Sequence, residues 1–397
     1  MLQEKRKFLY DIVLNICASA MPVAFLQLVI YPIVANQLGG NDYGLMLTIY
    51  SVWMIFSNSL GNVLNNIRLL WNKNYLDVDE EGDFMILYRK WGLAGSVFVF
   101  FVTWFYYGGF KLTHIILSVL IGFLIFNKSY LEVGFRIILN FKYITVNSLI
   151  HVAGLLTGFL VYHYTGYWEF IYIFGFGFSV LYCLMKTNLM QEAVKKTHFY
   201  PKVSRDCYSL FVAAVINNIT NYADKMVLFP LIGGTAVSIY YTATILGKIV
   251  SMMTNPINSV ILSYISRWDN EKSNIIEKVF PIVSIVAIFG YGFTLLIARP
   301  AMSLLFPQWV EEVMKYIPVT TITIMLNLLI SFLNPFVMRF CDRRWQIAIN
   351  ASGATIYFTA ALILWHLKGL LGFCIGTVVG SLCKLITMMI IYKYKKS

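Results

Sequence analysis

Residues 217–255 read NNITNYADKMVLFPLIGGTAVSIYYTATILGKIVSMMTN. Two long apolar segments meet here at Gly233-Gly234, and each carries polar and charged residues at the depth of a membrane. At about 100° per residue, Asn217, Asn221 and Asp224 share one helical face, with Asn218 and Lys225 at its margin. Lys248 shares a face with Thr244, Ser251 and Asn255 in the same way. A charge in mid-bilayer costs about 2.5–3.5 kcal/mol on insertion scales, so such residues turn toward a bundle interior or a wet cavity. The stretch therefore reads as two membrane helices lining a polar route.

The rest of the chain supports a membrane reading. Of its 397 residues, 59% are hydrophobic and 13% charged, where a soluble domain carries about 25% charged residues. The mean hydropathy of +0.70 points the same way. Apolar runs give about twelve spans, with approximate cores at 10–36, 43–67, 89–108, 112–137, 141–163 and 167–186, then 207–231, 236–263, 278–299, 313–336, 345–366 and 370–392. Trp71, Trp91, Trp168, Trp309 and Trp345 fall near span ends, as an interfacial belt requires. Lys5-Arg6-Lys7 and Ala18-Ser19-Ala20 imitate a signal peptide, but the apolar run continues past Pro22 to Ile33 and reads as an uncleaved first helix. The six cysteines form no C-x-x-C pair and suit small buried packing positions.

The net charge of +12 is not a nucleic-acid signal, because the cations sit in alternate loops. Twenty-three lie on the side of the N-terminus, the 187–206 connection and the tail, against four on the other side. That bias places both termini in the cytoplasm. The charged 187–206 connection divides six spans from six. The expected organisation is an N-terminal six-helix lobe at 1–190, a cytoplasmic linker at 191–206 and a C-terminal six-helix lobe at 207–397. Leu38-Gly39-Gly40 and Ile232-Gly233-Gly234 echo one another at an offset of 194, which suggests two related halves.

Several polar residues lie within spans. Asn58, Asn62, Asn65 and Asn66 stand at the same offsets as Asn217, Asn221, Asp224 and Lys225, each set within about 100° of helical arc. They either line a polar route or tie helices together, at about 0.6 kcal/mol apiece. Asn327, Ser331 and Asn334 repeat the theme. Lys128 and Glu132 stand one turn apart, as a site or as a mutually neutralising pair. Lys384 either faces the route or snorkels to the inner interface. Asp224 and Lys225 project about 100° apart and need not pair, so Asp224→Asn is expected to leave folding intact. Arg68 stands at the cytoplasmic mouth. The acidic stretch 77–83 begins like a calcium loop but has Tyr88 where the twelfth-position glutamate belongs, so it reads as a solvated turn. The five scattered histidines offer no metal or catalytic spacing, and no nucleotide-binding or hydrolase motif occurs. No catalytic residue, metal or cofactor is expected.

The run Asn221-Tyr222-Ala223-Asp224-Lys225, then Gly233-Gly234, then Ile239-Tyr240-Tyr241-Thr242-Ala243, resembles spans seven and eight of bacterial polysaccharide flippases. So does Leu38-Gly39-Gly40 followed by Asp42-Tyr43-Gly44-Leu45. These flippases belong to the multidrug/oligosaccharidyl-lipid/polysaccharide (MOP) exporter superfamily. The resemblance implies an all-α fold of two six-helix lobes around a central, cationic cavity. It implies movement of polyprenyl-diphosphate-linked oligosaccharides from the inner to the outer leaflet of a bacterial cytoplasmic membrane, by alternating access. One departure is that the first span has no basic residue in its interior, so a cationic site must rest on other spans. Lys248, Lys225, Lys128, Lys384 and Arg68 are the expected headgroup ligands, with Asn58, Asn62, Asn65, Asn217 and Asn221 for the sugars. Asp224 and Glu132 are the expected coupling or gating residues. Expected partners are the lipid-linked oligosaccharide, membrane lipids and other polysaccharide assembly proteins, with no nucleic acid. A drug or cation antiporter of the same superfamily (MATE type) would favour carboxylates in the cavity. A membrane-embedded glycan polymerase or acyltransferase would need a large external loop or a buried His/Asp constellation.

Overall fold

A computed structural model describes residues 18, 20–78, 80, 82–109, 111–138, 140–252, 275–340 and 343–395. The elements within them are helical. A π turn at Leu26–Ile30 leads into α1 (Tyr31–Ile55), α2 (Ser57–Val78), α3 (Asp83–Tyr107), α4 (Leu112–Leu131) and the short α5 (Val133–Ile137). Then follow α6 (Phe141–Thr165), α7 (Glu169–Lys186), α8 (Tyr200–Ile232) and α9 (Gly234–Met252). The chain continues with α10 (Ile275–Leu305), the short α11 (Val310–Val313), α12 (Ile317–Phe340) and α13 (Arg343–Lys395). The wide turn precedes Pro32, whose ring has no N–H and deprives the carbonyl of residue 28 of its usual donor.

Two long helices are each a pair. α1 breaks at Gly39 and α13 at Lys368-Gly369. Gly39 has φ +74° and Gly233, between α8 and α9, has φ +93°, a region that side chains disfavour, so the matched glycines in the sequence are matched turns. Counted this way, the described helices make about twelve passes, as the apolar runs predict. Eight stretches are long and apolar enough to cross a membrane, two of them, Ala20–Val78 and Ala348–Tyr394, being double. α8 and α9 are too polar to join them. Large apolar side chains such as Phe101, Phe105, Phe289 and Leu296 are exposed, as lipid contact requires. The protein is a multi-pass membrane protein.

The helices group into two compact units. Unit 1 comprises Met1–Val34 and Leu45–Val227, and unit 2 comprises Ala35–Gly44 and Leu228–Ser397. The core of unit 1 includes Leu60, Leu64, Phe84, Trp91, Phe126, Tyr130 and Phe135. A second aromatic knot packs Trp53 against Tyr50, Trp168 and Tyr172, and the hydroxyls of Tyr172 and Tyr31 lie 3.0 Å apart. α6 and α7 touch at backbone distance. A Cβ on Gly154 or Gly158 would fall 2.4 or 2.3 Å from an α7 carbonyl oxygen, so any side chain there would push the helices apart. In unit 2 the core gathers Phe332, Leu333, Phe336 and Ile349 with Leu385, Met388 and Tyr392. Gly372, Gly376 and Gly380 bring the two parts of α13 together in the same close manner.

Candidate functional site

In unit 1, the asparagine row of α2 faces α4 and α5. Asn58 Oδ1 accepts from Asn62 Nδ2 (3.0 Å) and from Ser129 Oγ (2.9 Å). Asn65, itself buried, donates to the Ser129 carbonyl (2.8 Å) and accepts from Arg136 Nη1 (2.7 Å), which also reaches Asn66 Oδ1 (3.1 Å). Gly61 permits the approach, since a Cβ there would lie 2.5 Å from the Phe126 carbonyl. Asn58, Asn65 and the exposed Asn66 thus act as interhelical ties, while the exposed Asn62 bonds within its own helix. Asn65→Ala should cost about 1–3 kcal/mol by leaving Arg136 and a buried carbonyl short of a partner. A thermal melt in detergent reads this, and an unchanged melting point would show that the ties are redundant.

Arg68, expected at the cytoplasmic mouth, is engaged by a carboxylate. Its guanidinium forks onto the Glu192 carboxylate, with Nη1 2.6 Å from Oε2 and a second contact from Nη2 to Oε1. It also lies 5.0 Å over the Phe84 ring. The carboxylate comes from the connection between the halves, which folds back on unit 1. Buried Asp83 anchors that connection: it accepts from Thr197 N (2.8 Å), Thr197 Oγ1 (2.5 Å) and Tyr75 OH (2.6 Å). His198 Nδ1 lies 3.0 Å from Glu80. The acidic stretch 77–83, expected as a solvated turn, is therefore partly a docking surface for 192–198.

Deeper in unit 1, Lys128 Nζ pairs with Glu132 Oε1 at 2.9 Å. Asn147 Nδ2 donates to the same oxygen (2.9 Å), and Ser179 Oγ donates to Asn147 Oδ1 (2.8 Å). α8 places Lys225 and Asp224 together despite their divergent projections: Nζ reaches Oδ1 at 2.8 Å, and both residues are buried. The flexible lysine stem closes the gap, and the same oxygen accepts the Lys225 backbone N–H at 2.8 Å. Asn218 Nδ2 donates to Ser59 Oγ (2.6 Å). Asn221 is exposed, and the side chain of Asn217 lies outside the described residues, as does Asn255.

Sequence reasoning missed Glu169, which is fully buried at the start of α7. Its Oε1 accepts from Tyr107 OH (3.1 Å) and lies 2.5 Å from His114 Nδ1. The trio joins the ends of α3, α4 and α7. A carboxylate at a span boundary looks interfacial in sequence, and only the neighbouring Trp168 and Tyr167 hinted at an aromatic enclosure.

Unit 2 holds the other two lysines. Lys248, half-buried on α9, carries its ammonium 4.8 Å from the Tyr241 ring centroid. Lys384 on α13 lays its stem against Gly353, where a Cβ would meet Lys384 Cδ at 2.9 Å. Nearby, Ser381 Oγ donates to Asn327 Oδ1 (3.3 Å), and the hydroxyls of Thr323 and Thr377 lie 3.0 Å apart. Chemically, the inventory is cations, carboxylates, amides and hydroxyls within apolar passes, with Lys128, Lys225 and Arg68 each engaged by a carboxylate.

The all-helical, roughly twelve-pass architecture has the fold of the MOP-superfamily transporters. An inward-facing multidrug resistance MATE transporter of that superfamily matches with TM-score 0.74 and 12% identity, covering 96% of this chain and 98% of that one. The lipid II flippase MurJ, in an inward closed conformation, matches at TM-score 0.69 and 11% identity, over 99% of this chain and 88% of that one. The Vibrio cholerae MATE transporter VcmN in its bent form gives 0.61 and 12%, over 98% and 96%. No family model matches the sequence, and no curated protein does.

Proposed function

We propose that the protein is a flippase for polyprenyl-diphosphate-linked oligosaccharides. It moves them from the inner to the outer leaflet of a bacterial cytoplasmic membrane, by alternating access of its two six-helix halves, with both termini cytoplasmic. The product feeds capsule, O-antigen or other surface polysaccharide synthesis. The observation that carries this reading is the fate of the intramembrane acids expected from the sequence. Glu132 holds Lys128 and Asp224 holds Lys225, so neither carboxylate is open for a cationic drug. Away from the span ends the sequence sets four lysines, Lys128, Lys225, Lys248 and Lys384, against those two acids, a net positive count that suits a diphosphate. A lipid flippase among the proteins of like fold adds support.

The antiporter reading is favoured by the equally good likeness to MATE transporters. Reconstitution separates the two. Proteoliposomes should move a lipid-linked oligosaccharide between leaflets and show no gradient-driven drug efflux. Drug extrusion on a proton or sodium gradient, with no lipid movement, would overturn the flippase.

A further inference from the structure

In unit 1, two exposed lysines far apart in the chain share one aromatic ring. Lys90 on α3 donates from Nζ to Tyr200 OH at 3.1 Å and lies 5.6 Å from the ring centroid. Lys196 Nζ lies 5.0 Å from the same centroid. The ring tempers their repulsion without cancelling either charge. Among the described residues neither ammonium meets a carboxylate, because the acids of that surface are turned elsewhere. Glu80 meets His198, Asp83 meets Thr197 and Tyr75, Glu192 meets Arg68, and Asp206 meets Trp71. Beyond the lysines, the exposed faces of two helices turn apolar. On α3, exposed Leu93, Val97 and Phe101 follow Lys90 on its own side of the helix. On α8, exposed Tyr208 and Val212 follow Arg205 in the same way. The two helices run side by side. The Trp91 ring lies 5.6 Å from Tyr208 and 5.5 Å from Phe211, and further along both helices Tyr106 OH donates to the Met226 carbonyl at 2.8 Å.

We propose that this α3–α8 face seats an anionic phospholipid of the cytoplasmic leaflet, with its phosphate between Lys90 and Lys196 and its acyl chains along the two apolar stripes. The seat is independent of what the protein transports. The cation bias puts the starts of α3 and α8 on the cytoplasmic side, where anionic headgroups attract basic residues. From residue 90 to the end of α3 at residue 107 is about 26 Å, which sets Lys90 at the edge of a slab about 30 Å thick. Its stem carries the ammonium to headgroup level. Topology alone asks for cations somewhere in a loop. It does not ask two of them to converge on one ring without an acid, above two exposed apolar stripes. A phosphate supplies the missing charge, and the stripes distinguish a lipid from a soluble anion.

Lipid retention tests the seat. The full chain, immobilised in a neutral detergent, is titrated with radiolabelled phosphatidylglycerol or phosphatidylcholine, washed and counted. Each lysine at a lipid surface strengthens attraction about fivefold, so the parent should prefer phosphatidylglycerol at least tenfold. Lys90→Gln with Lys196→Gln should abolish that preference and leave phosphatidylcholine retention as it was. Lys142→Gln with Lys186→Gln removes two other exposed cations of unit 1 and should keep it. Glycerol 3-phosphate, a headgroup without chains, should fail to displace the lipid at matched concentration. No preference in the parent, or an equal loss in the Lys142/Lys186 variant, would overturn the seat. Displacement by glycerol 3-phosphate would make it a soluble-anion site instead, and displacement by polyglutamate a surface for an acidic protein. If the Lys90/Lys196 variant fails to fold, salt decides on the parent. Raising it from about 0.1 M to about 1 M shortens the screening length from about 10 Å to about 3 Å and should erase the preference. A preference that survives such salt refutes the phosphate contact.

Discussion

Lys248→Ala is expected to cut export of the lipid-linked oligosaccharide at least tenfold and to leave the unexported lipid in the inner leaflet. Lys248 lies roughly 21 Å along α9 from its start at Gly234, a distance that falls within a hydrocarbon slab about 30 Å thick. The Tyr241 ring beneath its ammonium offsets part of the lost hydration. A diphosphate passing that depth supplies charged acceptors, and losing such a hydrogen bond costs about 1.5–3 kcal/mol, or about ten- to 150-fold. Lys248→Arg keeps the charge and should retain part of the activity. Asp224→Asn should not rescue Lys248→Ala, because Asp224 is engaged by Lys225. The assay is the accumulation of lipid-linked intermediates in cells. Normal export by Lys248→Ala, or rescue by Asp224→Asn, would remove Lys248 from the headgroup site.

Asp224→Asn should destabilise the protein strongly, contrary to the expectation from sequence that folding stays intact. Lys225 is 1% exposed, and without the carboxylate it becomes a buried, unpaired charge. Breaking one side of a buried pair costs about 3–5 kcal/mol, whereas removing both partners is far cheaper. The double variant Asp224→Asn/Lys225→Met should therefore recover most of the loss. Thermal denaturation of the two single variants and the double variant in one detergent gives the coupling directly. A parental melting point for Asp224→Asn, with transport abolished, would assign Asp224 to coupling or gating and dismiss the structural pair.

These two residues mark where the sequence was legible and where it was not. The passes could be read because each needs about twenty apolar residues, and Gly39 and Gly233 could be read because a chain reversal between helices favours glycine. Lys128–Glu132 was visible from its one-turn spacing. Asp224–Lys225 was not, because adjacent helical residues point apart and only the length of the lysine stem brings the charges together. Arg68–Glu192 joins residues 124 apart, through a connection that sequence gives no reason to fold back. The asparagine row was read as a face, but which amides tie helices and which bond within their own helix depends on the approach of α4 at Gly61. Glu169 was hidden by its place at a boundary, where a charge is ordinarily wet.

One helix sets a length scale for the whole molecule. α10 runs without a charge from residue 279 to residue 298, between Lys278 and Arg299. Those twenty residues measure about 30 Å, the thickness of a hydrocarbon slab. Only 11% of its apolar window is buried against the protein, and Arg299 is held at the surface by Glu311 at 2.8 Å. The charge-free length of α10 thus matches the thickness of the slab. A thinner or thicker membrane must then be met by lipid deformation or by tilt of this loosely held helix. Among the eight membrane-length stretches of the described residues its window is the least buried, so it has the fewest protein contacts to oppose such a tilt.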